Sequence, residues 1–437
     1  MNKELHFAVY EHQLVLENKQ VISRKFIVLR DGASLRFTNF HEYVLPKRSV
    51  KSITSNGISR FDFVVPLLNF LFFEKGIHTL DEMTVDMVSE YLNLYGLKKL
   101  PWDKGTEGRA KATVENSVRV ILDFLERFID DRKGKCLLKK SDLYRDTVVR
   151  DKYGKTIKVK RPVFDVLYSG DGKRIFRDIP NAAFDLIFNT IFTYHKDLLM
   201  LVALQAFAGL RPSEACNVRR QDSALGPGMI FHYLNHGEDG DDIVTVELDL
   251  RKELILRSDN KKVGGIKKER KAMVPPMFLK IFMSSYREYM KHIEGRKYEA
   301  EYGPLNINRD GKCMTYAAYY TSFKTIVAKE IVPELLNSND PELVIYGHLV
   351  LENGISPHIF RHWYTVQLVL AGVETVNELM SWRGDKSPES ALTYLNDKGE
   401  LMRKYKRVQG VVCSKRLLNQ AVGKSLRTHN LKSKKGA

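Results

Sequence analysis

Apolar residues at Val118, Ile121, Leu122, Leu125, Phe128 and Ile129 recur at i, i+3, i+4, i+7, i+10 and i+11. That spacing draws one face of a helix. A second helix is predicted after Thr84, a cap, with Val88, Tyr91, Leu92 and Tyr95 on its inner side and Gly96 at its end. The run Phe61 to Phe73 is apolar nearly all round and predicts a buried helix. Asp62, Pro66 and Asn69 interrupt it, and it is too short to span a bilayer. Residues 56–131 therefore predict a small helical domain. Ahead of it, residues 1–50 mix β-like runs such as Phe26-Ile27-Val28-Leu29 with the turn Asp31-Gly32, and predict a small N-terminal appendage for DNA or partner binding.

Residues 132–180 are basic and turn-rich, with Lys152-Tyr153-Gly154-Lys155 and Gly170-Asp171-Gly172-Lys173, and predict a linker. From Ala182 to Gly209 one long helix is expected, with Leu198, Leu199, Leu201 and Val202 buried. Strand patterns follow between 228 and 275. Val244 to Leu250 alternates, and Glu253–Arg257 and Arg270–Val274 flank Gly264-Gly265 as a hairpin would. Helices return after 276. The fold class this predicts is α+β and mainly helical: a helical domain, then a mixed domain over 181–410 with a small antiparallel sheet and a β-hairpin. A basic tail, 411–437, closes the chain.

Charge sharpens the picture. Seventy Lys plus Arg against 53 Asp plus Glu leave +17, which favours a polyanionic partner. The excess is concentrated: 258–271 holds six basic residues beside two acids, and from Leu401 onward there are eleven basic residues and no acid. The four cysteines, at 136, 216, 313 and 413, have no metal or redox spacing. Scattered reduced thiols are expected, with no metal and no cofactor. The start of the chain lacks a basic-then-apolar signal pattern, so a cytoplasmic location without membrane association is expected.

Four places in the second half carry reactive groups. Arg211 follows Gly209 and precedes Pro212, a good first-turn residue, so it sits in a helix–helix junction, with Glu214 three residues on to orient it. His358 and Arg361 lie i and i+3 after Ser356-Pro357, at the positive end of a new helix where an anion is favoured. The hairpin around Gly264-Gly265 carries lysines able to reach a groove. Trp382 and Arg383 precede Pro388, which starts a short helix presenting Tyr394. With twenty tyrosines, any single one is core or surface by default; Tyr394 is singled out by its company.

The order Arg211, hairpin Lys, His358-x-x-Arg361, Trp382, Tyr394 resembles the tyrosine recombinase (phage integrase) family over roughly residues 180–410. Gly209 to Ala215 and Ser356 to Gly372 look like its two arginine boxes. The family's usual Leu-Gly-His is Met380-Ser381-Trp382 here, and the stretch to Tyr394 is a few residues longer, so Arg383 is a second candidate phosphate contact.

The resemblance implies that Arg211 and Arg361 hold a scissile phosphate, that His358 assists proton transfer, that Trp382 contacts the phosphate and that Tyr394 attacks. Lys262 is the preferred general acid because the glycine pair then falls inside the loop; Lys261 and Lys267 are its alternatives. The implied activity is metal- and ATP-independent cleavage and rejoining of double-stranded DNA through a 3′-phosphotyrosine. Residues 56–131 and 181–410 would act as a clamp on DNA, and a homo-tetramer would act on two sites. Three rivals stand beside it. A type IB topoisomerase shares the chemistry, a non-catalytic DNA-binding protein shares the fold, and a basic RNA-binding protein shares the charge.

Overall fold

Phe7 and Ile27 are inward residues of two long antiparallel strands, β1 (Leu5–Val15) and β2 (Val21–Asp31). Phe7 faces Leu29 across the pair, and Val9 faces Ile27. A turn at Gly32, whose φ of 56° suits glycine, leads to β3 (Ser34–Phe37) on the free side of β2. This computed structural model describes residues 5–15, 21–45, 55–104, 107–150, 156–168, 179–233, 243–251, 257, 259, 261–266, 269–298, 303–385 and 388.

Beneath the sheet lie α1 (His41–Val44), α2 (Ser55–Asn69), α3 (Val85–Gly96) and α4 (Lys111–Arg132). The predicted stripe of α4 is buried or half-buried along its length, and Thr84 caps α3 by accepting from Met87 N. Pro66 lies inside α2 and removes one helical donor. A wider turn, Phe70–Glu74, follows with π-helical bonding. Asn69 ties α2 to the sheet: Phe7 N donates to its Oδ1 at 2.7 Å, and its Nδ2 donates to Phe7 O at 3.0 Å.

An antiparallel ribbon, β4 (Tyr144–Arg150) and β5 (Thr156–Pro162), stands on the same body. Leu143 and Phe164 at its base join Phe7, Ile27 and the helices in one apolar core. The sequence-based segments 1–50 and 56–131, and 132–180 as far as Val166, therefore share a core within one unit, Met1–Arg174. Their sharing arises from contacts far apart in sequence, which local patterning does not register.

The second unit, Ile175–Ala437, is built around a buried helix. The expected single helix from 182 to 209 is two, α5 (Asn181–Tyr194) and α6 (Lys196–Ala208). The break falls at His195, whose φ of −124° and ψ of 52° leave the helical region. Every residue of α6 from Leu198 to Ala208 is buried. After α7 (Pro212–Cys216) come β6 (Met229–Tyr233), β7 (Ile243–Leu250) and β8 (Arg270–Met273), an antiparallel sheet in that order. Next are α8 (Pro276–Ile293), α9 (Tyr316–Ile326), α10 (Val332–Leu336), α11 (Pro341–Asn353), α12 (His358–Leu370) and α13 (Val376–Arg383).

Residues 253–256 of the predicted strand Glu253–Arg257 lie outside the described residues. The partner of β8 is β7, with Leu248 opposite Ala272, and the Gly264-Gly265 loop lies in the long connection between them. Pairing with the alternating strand buries Val246, Leu248 and Ala272 on one face, which a short hairpin around the glycines would not do.

α12 is fixed against α5. The Trp363 ring stacks on Phe184 of α5 at 3.7 Å and 4°. Trp363 Nε1 and Gln367 Nε2 both donate to Asn181 Oδ1, at 3.1 and 3.0 Å. Among the described residues no helix is long and apolar enough to cross a membrane.

Candidate functional site: a buried arginine cluster

α6 stops because Gly209 takes φ 65° directly against the ring of Tyr364. A Cβ there would lie 2.3 Å from Tyr364 Cε1, so no larger residue fits. The chain then turns at Arg211, an extended residue capping α7, and Pro212 begins the next helix. Glu214, one turn on, is fully buried and faces back. It accepts from Arg211 N at 2.9 Å and from Arg211 Nη1 at 2.8 Å. It also accepts both Nη atoms of Arg270, the first residue of β8, at 3.1 and 3.0 Å. This is a bidentate, charge-assisted pair, and it fixes the edge of the sheet to the Arg211 turn.

Arg361 comes from the first turn of α12. Its Nη1 donates to Gly209 O, and its Nη2 donates to Arg383 O at 2.9 Å and to Asp385 Oδ1 at 2.8 Å. Arg211 Nη2 donates to that same Oδ1 at 2.7 Å. Arg383, the last residue of α13, places its Nε 2.8 Å from Asp385 Oδ2. Gly384 then turns the chain at φ 65°, so close to Arg270 that a Cβ would lie 2.2 Å from its Nε. Four guanidiniums, from α7, β8, α12 and α13, thus surround two carboxylates.

The electrostatics follow from that crowding. Burial alone would raise the Glu214 carboxyl. The Arg270 hydrogen bonds and the charges of Arg270, Arg211 and Arg361 outweigh it and lower the group to about 2. Burial and then the like charges of Arg211 and Arg383 pull Arg361 down to about 9, against the opposing pull of Asp385 and Glu214. It remains a cation at neutral pH. Among the described residues the cluster joins four arginines to two carboxylates, an arginine-rich setting that suits an anionic ligand.

The other predicted residues lie around this cluster in different ways. His358 opens α12 on the exposed side, while Arg361 one turn later is buried. Pro357 occupies the N-cap without a side-chain bond. The glycine loop docks on α7 beside Arg211. Ser213 Oγ donates to Gly265 O at 2.9 Å, and Asn217 Nδ2 donates to Gly264 O at 2.9 Å. Lys261 and Lys262, just before it, are exposed. Buried Arg257 braces the start of this loop through Asp259 and Cys313 O. Trp382 packs partly buried on the apolar core, and Arg383 turns into the cluster. Lys267 and Tyr394 lie outside the described residues.

Two members, Arg270 and Asp385, are absent from the sequence-based set. Arg270 reads as one of six cations in a basic run. The carboxylate that claims it, Glu214, is legible only as a partner for Arg211.

No protein-family model and no curated protein matches the chain. Among solved structures, it is similar to the Tn1549 transposon integrase in complex with transposon right-end DNA. That likeness has 17% identity and a TM-score of 0.48, covering 85% of this chain and 98% of that one. It is also similar to the XerH site-specific recombinase bound to palindromic difH substrate, at 16% identity, TM-score 0.44, and 81% and 79% coverage. A lambda integrase dimer bound to a COC′ core site matches at 12% identity, TM-score 0.41, and 81% and 92% coverage. At TM-scores below 0.5, none of these likenesses bears on the chemistry of the site.

Proposed function

We propose that this chain is a tyrosine recombinase that cuts and rejoins double-stranded DNA through a covalent 3′-phosphotyrosine. The observation that carries the reading is the convergence of Arg211 and Arg361 on a single carboxylate oxygen, at 2.7 and 2.8 Å. Two guanidiniums from opposite ends of the unit's sequence, both fixed by buried partners, present donors to one anionic oxygen. A non-bridging phosphate oxygen can take the same donors. Charge builds on those oxygens as phosphorus becomes five-coordinate, and each fixed donor is worth about 3 kcal/mol there.

In this reading Tyr394 Oη attacks phosphorus, and His358 at the exposed start of α12 assists removal of its proton. The 5′-oxygen leaves with a proton from Lys262, whose loop is docked on the Arg211 helix. Arg383 serves as the third phosphate contact in preference to Trp382, because the tryptophan is packed on the core. The bond energy is kept in the phosphotyrosine, and a free 5′-hydroxyl of another strand attacks it without ATP. The net charge of +17 makes affinity for the duplex fall steeply with salt. Both units contact the duplex, and four copies act on two sites in the cytoplasm.

The test is covalent trapping on a nicked duplex. Tyr394→Phe should lose all protein–DNA adducts while still binding DNA. Adducts that persist in this variant would remove Tyr394 from its role.

A further inference from the structure

The two carboxylates of the cluster are not equivalent. Glu214 lies at the back, with a side chain 0% exposed and bonds to two arginines and to the Arg211 main chain. It has no path out without unfolding α7. Asp385 lies beyond the last turn of α13, held by one main-chain bond, Asp385 N to Met380 O at 3.2 Å, and by the arginines themselves.

The arginines also have support that does not depend on Asp385. Glu214 holds Arg211, while Gly209 O and Arg383 O hold Arg361. Only the inner face of the cluster is closed by Asp385. With it in place, Arg361 and Arg383 are 5% and 6% exposed, too covered to receive a further ligand.

We infer that the Asp385 carboxylate is an internal stand-in for a phosphodiester, occupying the anion position between Arg211, Arg361 and Arg383 until a phosphate displaces it. Charge permits the exchange. A carboxylate and a phosphodiester each carry one negative charge, so replacing one with the other leaves the net charge of the cluster unchanged. Each offers two anionic oxygens to the same forked donors. While no phosphate is bound, Asp385 prevents like charges from splaying the cluster apart. The site is thereby preorganised at some cost in apparent affinity, since a ligand must compete with the carboxylate.

The inference rests on the reading of the arginines as a phosphate site, and its test does not require DNA cleavage. Inorganic phosphate is titrated into the full chain and into Asp385→Asn at constant ionic strength, and binding is followed by calorimetry. Removing the competitor should tighten phosphate binding about tenfold. The variant should melt below the wild type without phosphate, and saturating phosphate should close that gap. An unchanged phosphate affinity overturns the inference.

If Asp385→Asn does not fold, the wild-type chain crystallised with phosphate decides. The anion should occupy the Oδ1 position with the carboxylate withdrawn. An anion bound elsewhere, with both arginine bonds to Asp385 intact, overturns it equally. Loss of tyrosine adducts with phosphate exchange intact would count against the recombinase; the converse would count against Asp385 alone.

Discussion

The back of the site and its front are built on opposite principles. Around Glu214, itself fully buried, elements from distant parts of the unit are held to one carboxylate by hydrogen bonds from Arg211 and Arg270. At the front, His358, Lys261 and Lys262 lie on exposed backbone, on the first turn of a helix and a loop braced from behind. In the proposed reaction the difference suits two kinds of chemical work. Stabilising developing charge needs dipoles that do not reorganise during the reaction. Moving protons needs groups that keep ordinary solvation and can approach and withdraw.

The sharpest way to break this contrast is at its buried end. Glu214→Gln removes the charge that two arginines share, and should cost about 3–5 kcal/mol of stability, read by urea denaturation. A loss below 1 kcal/mol would mean that the back of the site is not held as described. Arg361→Ala should slow single-turnover cleavage of a nicked duplex by about a hundredfold to a thousandfold, with DNA binding far less affected.

Acid should dissolve the same region. A carboxylate lowered on folding contributes stability above its unfolded value, near 4.5 for Glu214, and loses it as pH falls towards about 2. Urea unfolding at pH 6 and pH 3 should show about 2 kcal/mol of that loss, which is about 3 kcal/mol in full, and Glu214→Gln should lack it.

At the front, Lys262→Ala should slow cleavage about a hundredfold, and a 5′-thiol leaving group should restore it. Lys261→Ala should need no such rescue; if it alone does, the acid is the neighbouring lysine. The smallest effect is expected at α13. Trp382→Phe should leave cleavage near wild type, whereas Arg383→Gln should lower it about tenfold. The reverse ranking would restore the tryptophan as the phosphate contact.

The same division governs how much of the molecule is legible in its sequence. Helices with one apolar face, α3 and α4, are predicted with their inner residues, and α3 with its Thr84 cap, because 3.6-residue periodicity is local. The break at His195 is missed because apolar residues continue on both sides of it, and a helix buried all round has no stripe to lose register. Arg211 and Arg361 are found through their helix-start settings. Arg270 and Asp385 are not, since each acquires meaning only when β7 pairs with β8 and when Gly384 turns the chain back. The ribbon base at Leu143 and Phe164 joins a core more than a hundred residues upstream, so a basic, turn-rich segment reads as a linker.

The contact of Gly384 with Arg270 sets a leash. It holds the main chain at the cluster, and Asp385, the next residue, is nine before Tyr394. A fully extended chain advances at most about 3.3–3.6 Å per residue, so those residues can carry the Tyr394 backbone no farther than about 30 Å from Asp385. In the proposed reaction, that length limits which phosphates Tyr394 can reach.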